Sequence, residues 1–253
     1  MNIIPSFYFI SNNFGDALTP YILKNMTGRE VGWVDSNSDI SKYMVTGSIL
    51  NHGNNNCIVW GCGLAGRYDQ VIQKDIRLVR GKLTAQILKE QHISFDDTKY
   101  GDPALILSDI LNVSEKEKEF ISIAPHYIDA YDVSKGNVDS LQWIDVNDSI
   151  ENVVNKITSS KIVFTSSLHI IITCHSYKIP VVWCQFTNNI LGDGTKYYDH
   201  YLSMGLDESD IKCFDLRNNN NYKHLFNEVF DTYNYVLDVP ENVIRNIKET
   251  FPL

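Results

Sequence analysis

Clustered positive charge is scarce in this sequence. Its 22 Lys and Arg are outnumbered by 31 Asp and Glu, which leaves a formal net charge of −9. Neutralising nucleic-acid phosphates, or adsorbing to an anionic bilayer, needs clustered basic side chains. We therefore expect no nucleic-acid partner and at most a peripheral association with membranes.

Long apolar runs and a leader pattern are also missing. No apolar run approaches the ~20 residues that a membrane span needs. The first residues, MNIIPSFYFISNNFGD, have no basic segment before the apolar stretch and no small-residue cleavage site. These features favour a soluble protein of the cytoplasm.

Motifs of common cofactor and metal sites are absent as well. The five cysteines are odd in number and form no CxxC pair, which is typical of reduced thiols. There is no P-loop, HExxH or EF-hand pattern, and GCGLAG lacks the acidic partner of a dinucleotide-binding turn. We expect no bound metal and no cofactor.

Strand-like and helix-like segments alternate along the chain. Strand patterns lie at 7–11, 30–35, 42–50 and 56–66, and a strand, a turn and a helix at 76–91; the order repeats from residue 120 to closing helices at 222–237 and 240–251. This alternation predicts an α/β protein with parallel sheets. With the polar stretch 111–120 as a hinge, we predict two Rossmann-like domains, 1–112 and 113–253, facing a cleft.

Ligands of open parallel sheets bind outside the carboxyl ends of the strands, against helix N-termini. Six turns are therefore expected to line the cleft: NFGD, GSIL, GCG, VRG, PHY and SSLH. In VRG, the Arg80 guanidinium would project into the cleft, where it suits a phosphate or a carboxylate. The alternative is a surface arginine that pairs with a neighbouring acid.

The segment KIVFTSSLHIIITCHSYKIPVVW reads as a buried strand, a small-polar turn, a short apolar helix and a second strand. Ser166, Ser167 and His169 lie where that helix begins. Its first turn offers free N–H groups and the positive end of the helix dipole, which together favour an anion. A histidine among isoleucines is otherwise a packed core residue, so His169 has a structural and a functional interpretation.

Five segments, in order, resemble the polysaccharide pyruvyltransferase family: NFGDALTPYIL, VTGSIL, VRGKLTAQIL, YGDPALIL and SSLHIIITCHSYKIPVVW. The resemblance implies a GT-B-like arrangement of two domains. It also implies transfer of the enolpyruvyl group of phosphoenolpyruvate, as a co-substrate, to a sugar diol, giving a pyruvate ketal. The expected setting is bacterial capsule, exopolysaccharide or cell-wall polymer synthesis, with a lipid- or nucleotide-linked acceptor met at the inner membrane face.

The resemblance also implies roles for the polar residues of the turns. His169 matches the family's motif histidine and is predicted to be the general acid/base. Arg80, contributed by the N-terminal domain, is predicted to bind the donor together with Ser166 and Ser167. Acceptor-binding or orienting roles are predicted for five further residues: Asn13, Asp16, Gly47, Ser48 and His126.

Ser167 departs from the family pattern, because some members carry an arginine two residues before the motif histidine. Either Arg80 compensates together with Arg67, Arg77 or Lys82, or the chain belongs to a branch with altered substrate handling. Two other functions stay open. One is a GT-B-like glycosyltransferase with a nucleotide-sugar donor, which would use Asp193; the other is a non-catalytic sugar- or nucleotide-binding module.

Overall fold

The computed structural model of the protein describes residues 3–114, 116–218, 221–233 and 236–253. Within these ranges the strands form two five-stranded sheets, and all neighbouring strands run parallel. The α/β class with parallel sheets is therefore confirmed. None of the described helices is both long enough and apolar enough to cross a bilayer.

The first sheet has the spatial order β2-β1-β3-β4-β5. Its strands are β1 (Ile4–Ser6), β2 (Val31–Trp33), β3 (Lys42–Met44), β4 (Cys57–Trp60) and β5 (Asp75–Leu78). In a parallel sheet all carboxyl ends lie at one edge, so the turns after β3, β4 and β5 come together there.

The second sheet has the order β10-β9-β8-β6-β7. Its strands are β6 (Phe120–Ala124), β7 (Gln142–Trp143), β8 (Ser160–Thr165), β9 (Val181–Gln185) and β10 (Phe214–Asp215). The central strand β8 buries Ile162, Val163 and Phe164 in succession. An apolar run without alternation is typical of a strand that is covered on both faces.

Helices cover these sheets and connect the strands. They are α1 (Phe14–Thr27), α2 (Lys82–Glu90), α3 (Leu107–Ile110), α4 (Ala130–Val133), α5 (Ile150–Thr158), α6 (Leu168–Ser176), α7 (Thr195–Ser203), α8 (Tyr222–Tyr233) and α9 (Glu241–Glu249). A short 3-10 helix, Pro103–Ile106, precedes α3. The helix α5 shows how local sequence sets these elements: the Ser149 hydroxyl caps its start by accepting a hydrogen bond from the Asn152 N–H.

One buried hydrophobic cluster contains side chains of both halves of the chain. Side chains of α1 (Leu18 and Ile22) belong to the same buried cluster as Val153 of α5 and Ile171 of α6. The last helix, α9, returns to the first half, where the Trp60 indole N–H donates to the Ile247 carbonyl at 3.2 Å. Contacts such as these join residues on either side of position 112. The domain boundary predicted there stays a prediction.

Two predictions near the N-terminus are wrong in detail. The strand expected at 7–11 lies at Ile4–Ser6, since the chain leaves the sheet after Phe7 and exposes Phe9 and Ile10. The segment ALTPYILKNM (17–26) predicts a helix with Pro20 in its first turn, but the helix begins at Phe14, which places that proline beyond the first turn.

Three further predictions extend beyond the described ranges. The hinge at 111–120 includes Glu115, the loop at 218–221 includes Asn219 and Asn220, and the closing helix at 222–237 includes Asn234 and Tyr235, all of which lie outside the described residues.

Candidate active site

A cavity of about 340 Å³ is lined by loops of both halves of the chain. Seven of the nine predicted site residues line it: Asn13, Asp16, Gly47, Ser48, His126, Ser167 and His169. A larger cavity of about 420 Å³, beside Trp183 and Asp193, contains none of the nine. The smaller cavity, here called the central cavity, is therefore the candidate active site.

The start of α1 supplies an acidic wall of the central cavity. Asp16 Oδ2 accepts hydrogen bonds from Ser11 Oγ at 2.6 Å and from Asn13 Nδ2 at 3.3 Å. Burial raises the pKa of Asp16, while both hydrogen bonds oppose that shift. The Asn13 side-chain oxygen is buried and has no partner among the described residues. A hydroxyl of a bound ligand would satisfy it.

The turn after β3 is fixed against α1. The Thr46 N–H donates to Thr19 Oγ1 at 3.1 Å, and the two threonine hydroxyls lie 2.8 Å apart. This anchor holds Gly47 and Ser48 at the cavity wall. The GSIL turn therefore lines the same cavity as His169.

Arg80 lies behind the cavity wall and not on its surface. The side chain is fully buried, Nε donates to Asp199 Oδ2 at 2.9 Å, Nη1 to Ser48 Oγ at 2.8 Å and Nη2 to the Leu64 carbonyl at 2.7 Å. The expectation that it projects into an open cleft is therefore wrong, because a carboxylate on α7 takes up its guanidinium. Its role in donor binding stays a prediction.

The turn between β8 and α6 is fixed by hydrogen bonds of Ser166, which lies beneath the surface of the central cavity. Ser166 Oγ donates to Asp129 Oδ2 at 2.6 Å and accepts from the His126 N–H at 3.0 Å. Ser166 is fully buried and does not line the central cavity. Ser167 lines it, and the Ser167 side chain makes no capping hydrogen bond to α6. Of the two predicted donor-binding serines, only Ser167 is placed to touch a ligand.

His169 is the second residue of α6 and lines the central cavity with the 11% of its side chain that remains exposed. Gly15 of α1 lies against the ring, since a Cβ at Gly15 would come within 2.3 Å of Nδ1. Burial, together with the charges of Arg80, Lys196 and His126, lowers the pKa of His169 to about 3. The imidazole is therefore neutral at neutral pH.

Asp102 faces His169 from the N-cap of the short helix Pro103–Ile106. Asp102 Oδ2 lies 3.9 Å from His169 Nε2, and neither atom has a hydrogen-bond partner among the described residues. The pKa of Asp102 is raised to about 7, because burial and the Asp199 charge outweigh a hydrogen bond from the Ala104 N–H and the Arg80 charge.

Lys196, near the start of α7, brings a positive charge to the central cavity. Its Nζ lies 5.2 Å from the centroid of the Tyr197 ring. Burial and the Arg80 charge, opposed by the Asp129 charge, lower the pKa of Lys196 to about 8. The ammonium group is therefore mostly charged at neutral pH. Burial, and then the Lys196 charge, lower the pKa of His126 to about 4.

Sequence reasoning missed Asp102, Lys196 and Asp199. Asp102 carried a local signal, because an aspartate followed by proline is typical of a helix start. No pattern around Lys196 or Asp199 distinguished them from other charged residues of α7. Sequence spacing alone does not show that these three side chains meet the turns of the first sheet.

The other basic residues expected to compensate for Ser167 lie outside the central cavity. Arg67 pairs with Glu90, Arg77 pairs with Asp75, and the Lys82 ammonium lies over the Tyr100 ring. Within the described ranges, no group of three or more His, Cys, Asp or Glu is placed to hold a metal ion.

A family model described as polysaccharide pyruvyl transferase matches residues 13–185, more than half of the chain. This chain belongs to the polysaccharide pyruvyl transferase family. The matched range includes all nine residues predicted for the site, whereas Lys196 and Asp199 follow it. Family membership identifies the chain as a transferase of polysaccharide synthesis and implies a polysaccharide acceptor.

An uncharacterized protein of Acanthamoeba polyphaga mimivirus is 27% identical to this pyruvyl transferase family member over 257 residues, which cover 96% of this chain and 87% of that protein. No solved structure matches the chain significantly. The family does not favour the nucleotide-sugar glycosyltransferase. The carboxylate of Asp193, which that alternative would use, accepts hydrogen bonds from the Arg67 and Thr195 N–H groups.

Proposed function

We propose that this protein transfers the enolpyruvyl group of phosphoenolpyruvate onto two hydroxyls of a sugar, forming a pyruvate ketal and releasing phosphate. The observation that supports this most is the meeting of His169, Ser167 and Lys196 at one cavity. A neutral imidazole, a helix start and a cation are the groups that proton transfer on an anionic donor requires.

The donor anions are placed at the start of α6. The first N–H groups of a helix have no intrahelical acceptor and lie at the positive end of its dipole. Ser167 and Lys196 line the same cavity. Lys196 then supplies the charge that some relatives supply with an arginine at the position of Ser167. Arg80 adds positive potential from behind the wall, through the Ser48 hydroxyl that it holds.

The acceptor sugar is placed at the opposite wall, where the groups are acceptors of hydrogen bonds. The unpartnered oxygen of Asn13 and the carboxylate of Asp16 accept from sugar hydroxyls. Gly47 leaves room for the ring, and His126 lies beside the reacting hydroxyls. Each hydroxyl that binds here satisfies a group that is otherwise desolvated at a cost.

Proton transfer then takes place at His169. His169 donates a ring proton to the methylene carbon of the donor, which becomes a methyl group, and C2 becomes electrophilic. The first sugar hydroxyl attacks C2 and returns a proton to the imidazole. The second hydroxyl displaces phosphate, which carries away the second proton, and the ketal closes.

The finer setting belongs to the same proposal. The acceptor is a lipid- or nucleotide-linked sugar that is met in the cytoplasm, and the product serves a bacterial capsule, exopolysaccharide or cell-wall polymer. The two sheets, with the central cavity between their loops, would form a GT-B-like arrangement.

The test uses the purified protein with phosphoenolpyruvate and a panel of lipid- and nucleotide-linked hexoses, measuring released phosphate and acceptor mass. We expect acceptor-dependent phosphate release and a pyruvate-sized gain in mass. The variant His169→Gln should lose roughly 100-fold or more of this turnover, while His92→Asn, at an exposed histidine, should keep it. Full turnover in His169→Gln would remove the assigned role. Stabilisation by UDP or GDP, with no response to phosphoenolpyruvate, would favour glycosyl transfer.

A further inference from the structure

We infer that Asp102 controls which ring nitrogen of His169 carries the proton, and is thereby the positioning residue for the proposed acid/base. The kinetic consequence rests on the proposed function, but the contact itself rests only on geometry. Asp102 Oδ2 and His169 Nε2 face one another across 3.9 Å. Both atoms are buried and lack a hydrogen-bond partner among the described residues.

Leaving two such atoms unpaired is costly, since a buried polar atom without a partner loses its hydration and gains nothing. Each atom supplies what the other lacks. The separation is about 1 Å longer than a hydrogen bond, and catalytic hydrogen bonds are often long before the substrate binds. We expect small adjustments of the ring and the carboxyl group to close this gap in solution, in the ligand-free protein as well as with substrate bound.

The carboxyl group of Asp102 is held in a fixed orientation. Its Oδ1 accepts from the Ala104 N–H at 2.9 Å, as the N-cap of the helix Pro103–Ile106. The side chain is fully buried, and that helix lies directly against α6, which carries His169. One oxygen is therefore committed to the cap, and the other faces the imidazole.

Charged and titratable groups around the pair come from several elements. Arg80 and Cys62 follow strands of the first sheet, Lys196 and Asp199 lie on α7, and His126 follows β6. Burial and Asp199 raise the pKa of Asp102 to about 7, against the effect of Arg80. The pKa of His169 is lowered to about 3, so its ring stays neutral over the same range.

Near neutral pH the protonation of Asp102 therefore determines which tautomer His169 adopts. Below about pH 7 the carboxyl of Asp102 is protonated and donates to Nε2, which leaves the ring proton on Nδ1. Above it the carboxylate accepts from Nε2–H, which leaves a lone pair on Nδ1. Since Nε2 faces Asp102, Nδ1 is the ring nitrogen that remains for the substrate.

This arrangement balances both halves of the proposed reaction. When Nδ1 gives its proton to the methylene carbon, Nε2 takes one from the Asp102 carboxyl and the ring stays neutral. When the sugar hydroxyl attacks, Nδ1 takes the hydroxyl proton and Nε2 returns its own to the carboxylate. The pair ends as it began, and no other proton store is needed.

The decisive measurement is the tautomer of His169 in the ligand-free protein, read from long-range proton–nitrogen NMR spectra of protein labelled with ¹⁵N-histidine. The His169 signals are assigned by their loss in His169→Gln. We expect the wild type to switch from the Nδ1–H to the Nε2–H form roughly between pH 6 and pH 8. Asp102→Asn should remain Nδ1–H throughout, because its amide donates to Nε2. A constant tautomer in the wild type, or the same switch in Asp102→Asn, overturns the inference.

Steady-state kinetics give a second test of the inference. Asp102→Asn should lose roughly 10- to 100-fold in kcat, together with the pH dependence near neutrality, at an unchanged KM for the donor. Asp102→Ser keeps an oxygen that can cap the helix Pro103–Ile106 but has no second polar group opposite His169 Nε2. It should therefore show the same loss of kcat. Ser149→Ala removes the cap of α5 at a residue that does not line the central cavity, and should change neither tautomer nor kcat. If the protein does not catalyse pyruvyl transfer, the NMR result still shows whether Asp102 controls the tautomer of His169.

Discussion

Gly15 gives His169 its position, because the first turn of α1 lies against the imidazole ring with no space for a side chain. A Cβ at Gly15 would lie 2.3 Å from Nδ1 and 2.9 Å from Cγ of His169. The ring is buried and has little freedom to move away. The residue next to the proposed acid/base therefore sets its orientation by size alone.

The variant Gly15→Ala tests this contact. We expect kcat to fall by about 100-fold, because a ring displaced by about 1 Å no longer reaches the donor carbon. Stability should change by less than about 2 kcal/mol, since the gain in helix propensity offsets part of the overpacking. Gly32→Ala is the matched control, because its Cβ meets only the exposed side chain of Ile3. Equal activity of the two variants would contradict the argument.

Lys196 offers a second test at the scale of one residue. Lys196→Met should raise the KM for phosphoenolpyruvate roughly 10- to 100-fold, and Lys196→Arg should stay within a few-fold of the wild type. Because burial lowers the pKa of Lys196 to about 8, donor affinity should fall as pH rises through that value. A KM for the donor that does not change from pH 7 to pH 9 would assign the donor charge to another group.

Single residues of the site were predictable only where a local pattern marked them. His169 and Ser167 stand at a strand-to-helix turn, and such turns meet ligands in parallel sheets. The contact between Asp102 and His169 joins distant parts of the chain, so no spacing rule reveals it. The structural interpretation of His169 is also partly correct, because most of its ring is buried.

At the scale of elements, α7 connects the two halves through one carboxylate. Asp199 is fully buried, accepts from Arg80 Nε at 2.9 Å, and accepts from the Thr84 N–H at 2.8 Å. Gly81 permits this approach, since a Cβ there would come within 2.1 Å of the Asp199 carbonyl oxygen. The start of α2 is thereby fastened to α7, next to the lysine that we assign to the donor.

Asp199→Ala should destabilise the protein by about 3–5 kcal/mol, because it leaves the Arg80 charge buried without its partner. The double variant Arg80→Met/Asp199→Leu should be more stable than Asp199→Ala, since it removes both charges and fills the space. Urea unfolding monitored by circular dichroism measures both. A double variant less stable than Asp199→Ala would contradict a buried pair.

Elements were predicted better than the contacts between them. The order of strands and helices follows from local periodicity, and both sheets are parallel as expected. The first strand was misplaced because pairing with β2 and β3, and not the apolar run at 7–11, fixes its position. Arg80 was misplaced because its partner comes from a helix 119 residues further along the chain.

For the whole molecule, buried histidines determine the response to acid. His175 Nδ1 and His200 Nε2 lie 2.8 Å apart inside the core. Burial lowers the pKa of His175 to about 3, and burial followed by the charge of its neighbour places that of His200 well below its usual value. With His169 and His126, four histidines bind protons more readily in the unfolded chain than in the folded protein.

Stability should therefore fall as pH drops below about 6.5, where the unfolded chain takes up protons that the fold excludes. The loss by pH 5 is on the order of 2 kcal/mol for each fully buried histidine. Asp102 acts in the opposite direction, because its raised pKa makes the fold bind a proton more readily than the unfolded chain. Its gain in stability at low pH offsets the loss caused by about one buried histidine.

Urea midpoints at pH 7.5 and pH 5 measure the difference. The double variant His175→Leu/His200→Leu should flatten this dependence, whatever its own stability, since it removes two of the titrating groups. His92→Asn, at an exposed histidine, should leave the dependence unchanged. Equal midpoints at both pH values in the wild type would show that these histidines are not kept neutral by the fold.

The return of α9 to the first half affects the order in which the chain can fold during synthesis. Trp60 lies under Ile247 and Phe251, and Asn246 donates to the Thr98 and Tyr100 carbonyls. These partners leave the ribosome on the order of ten seconds after the strands they cover. The first half is therefore translated early yet stays uncovered along this face until the last helix emerges, and nascent chains at that stage are the ones we expect chaperones to bind.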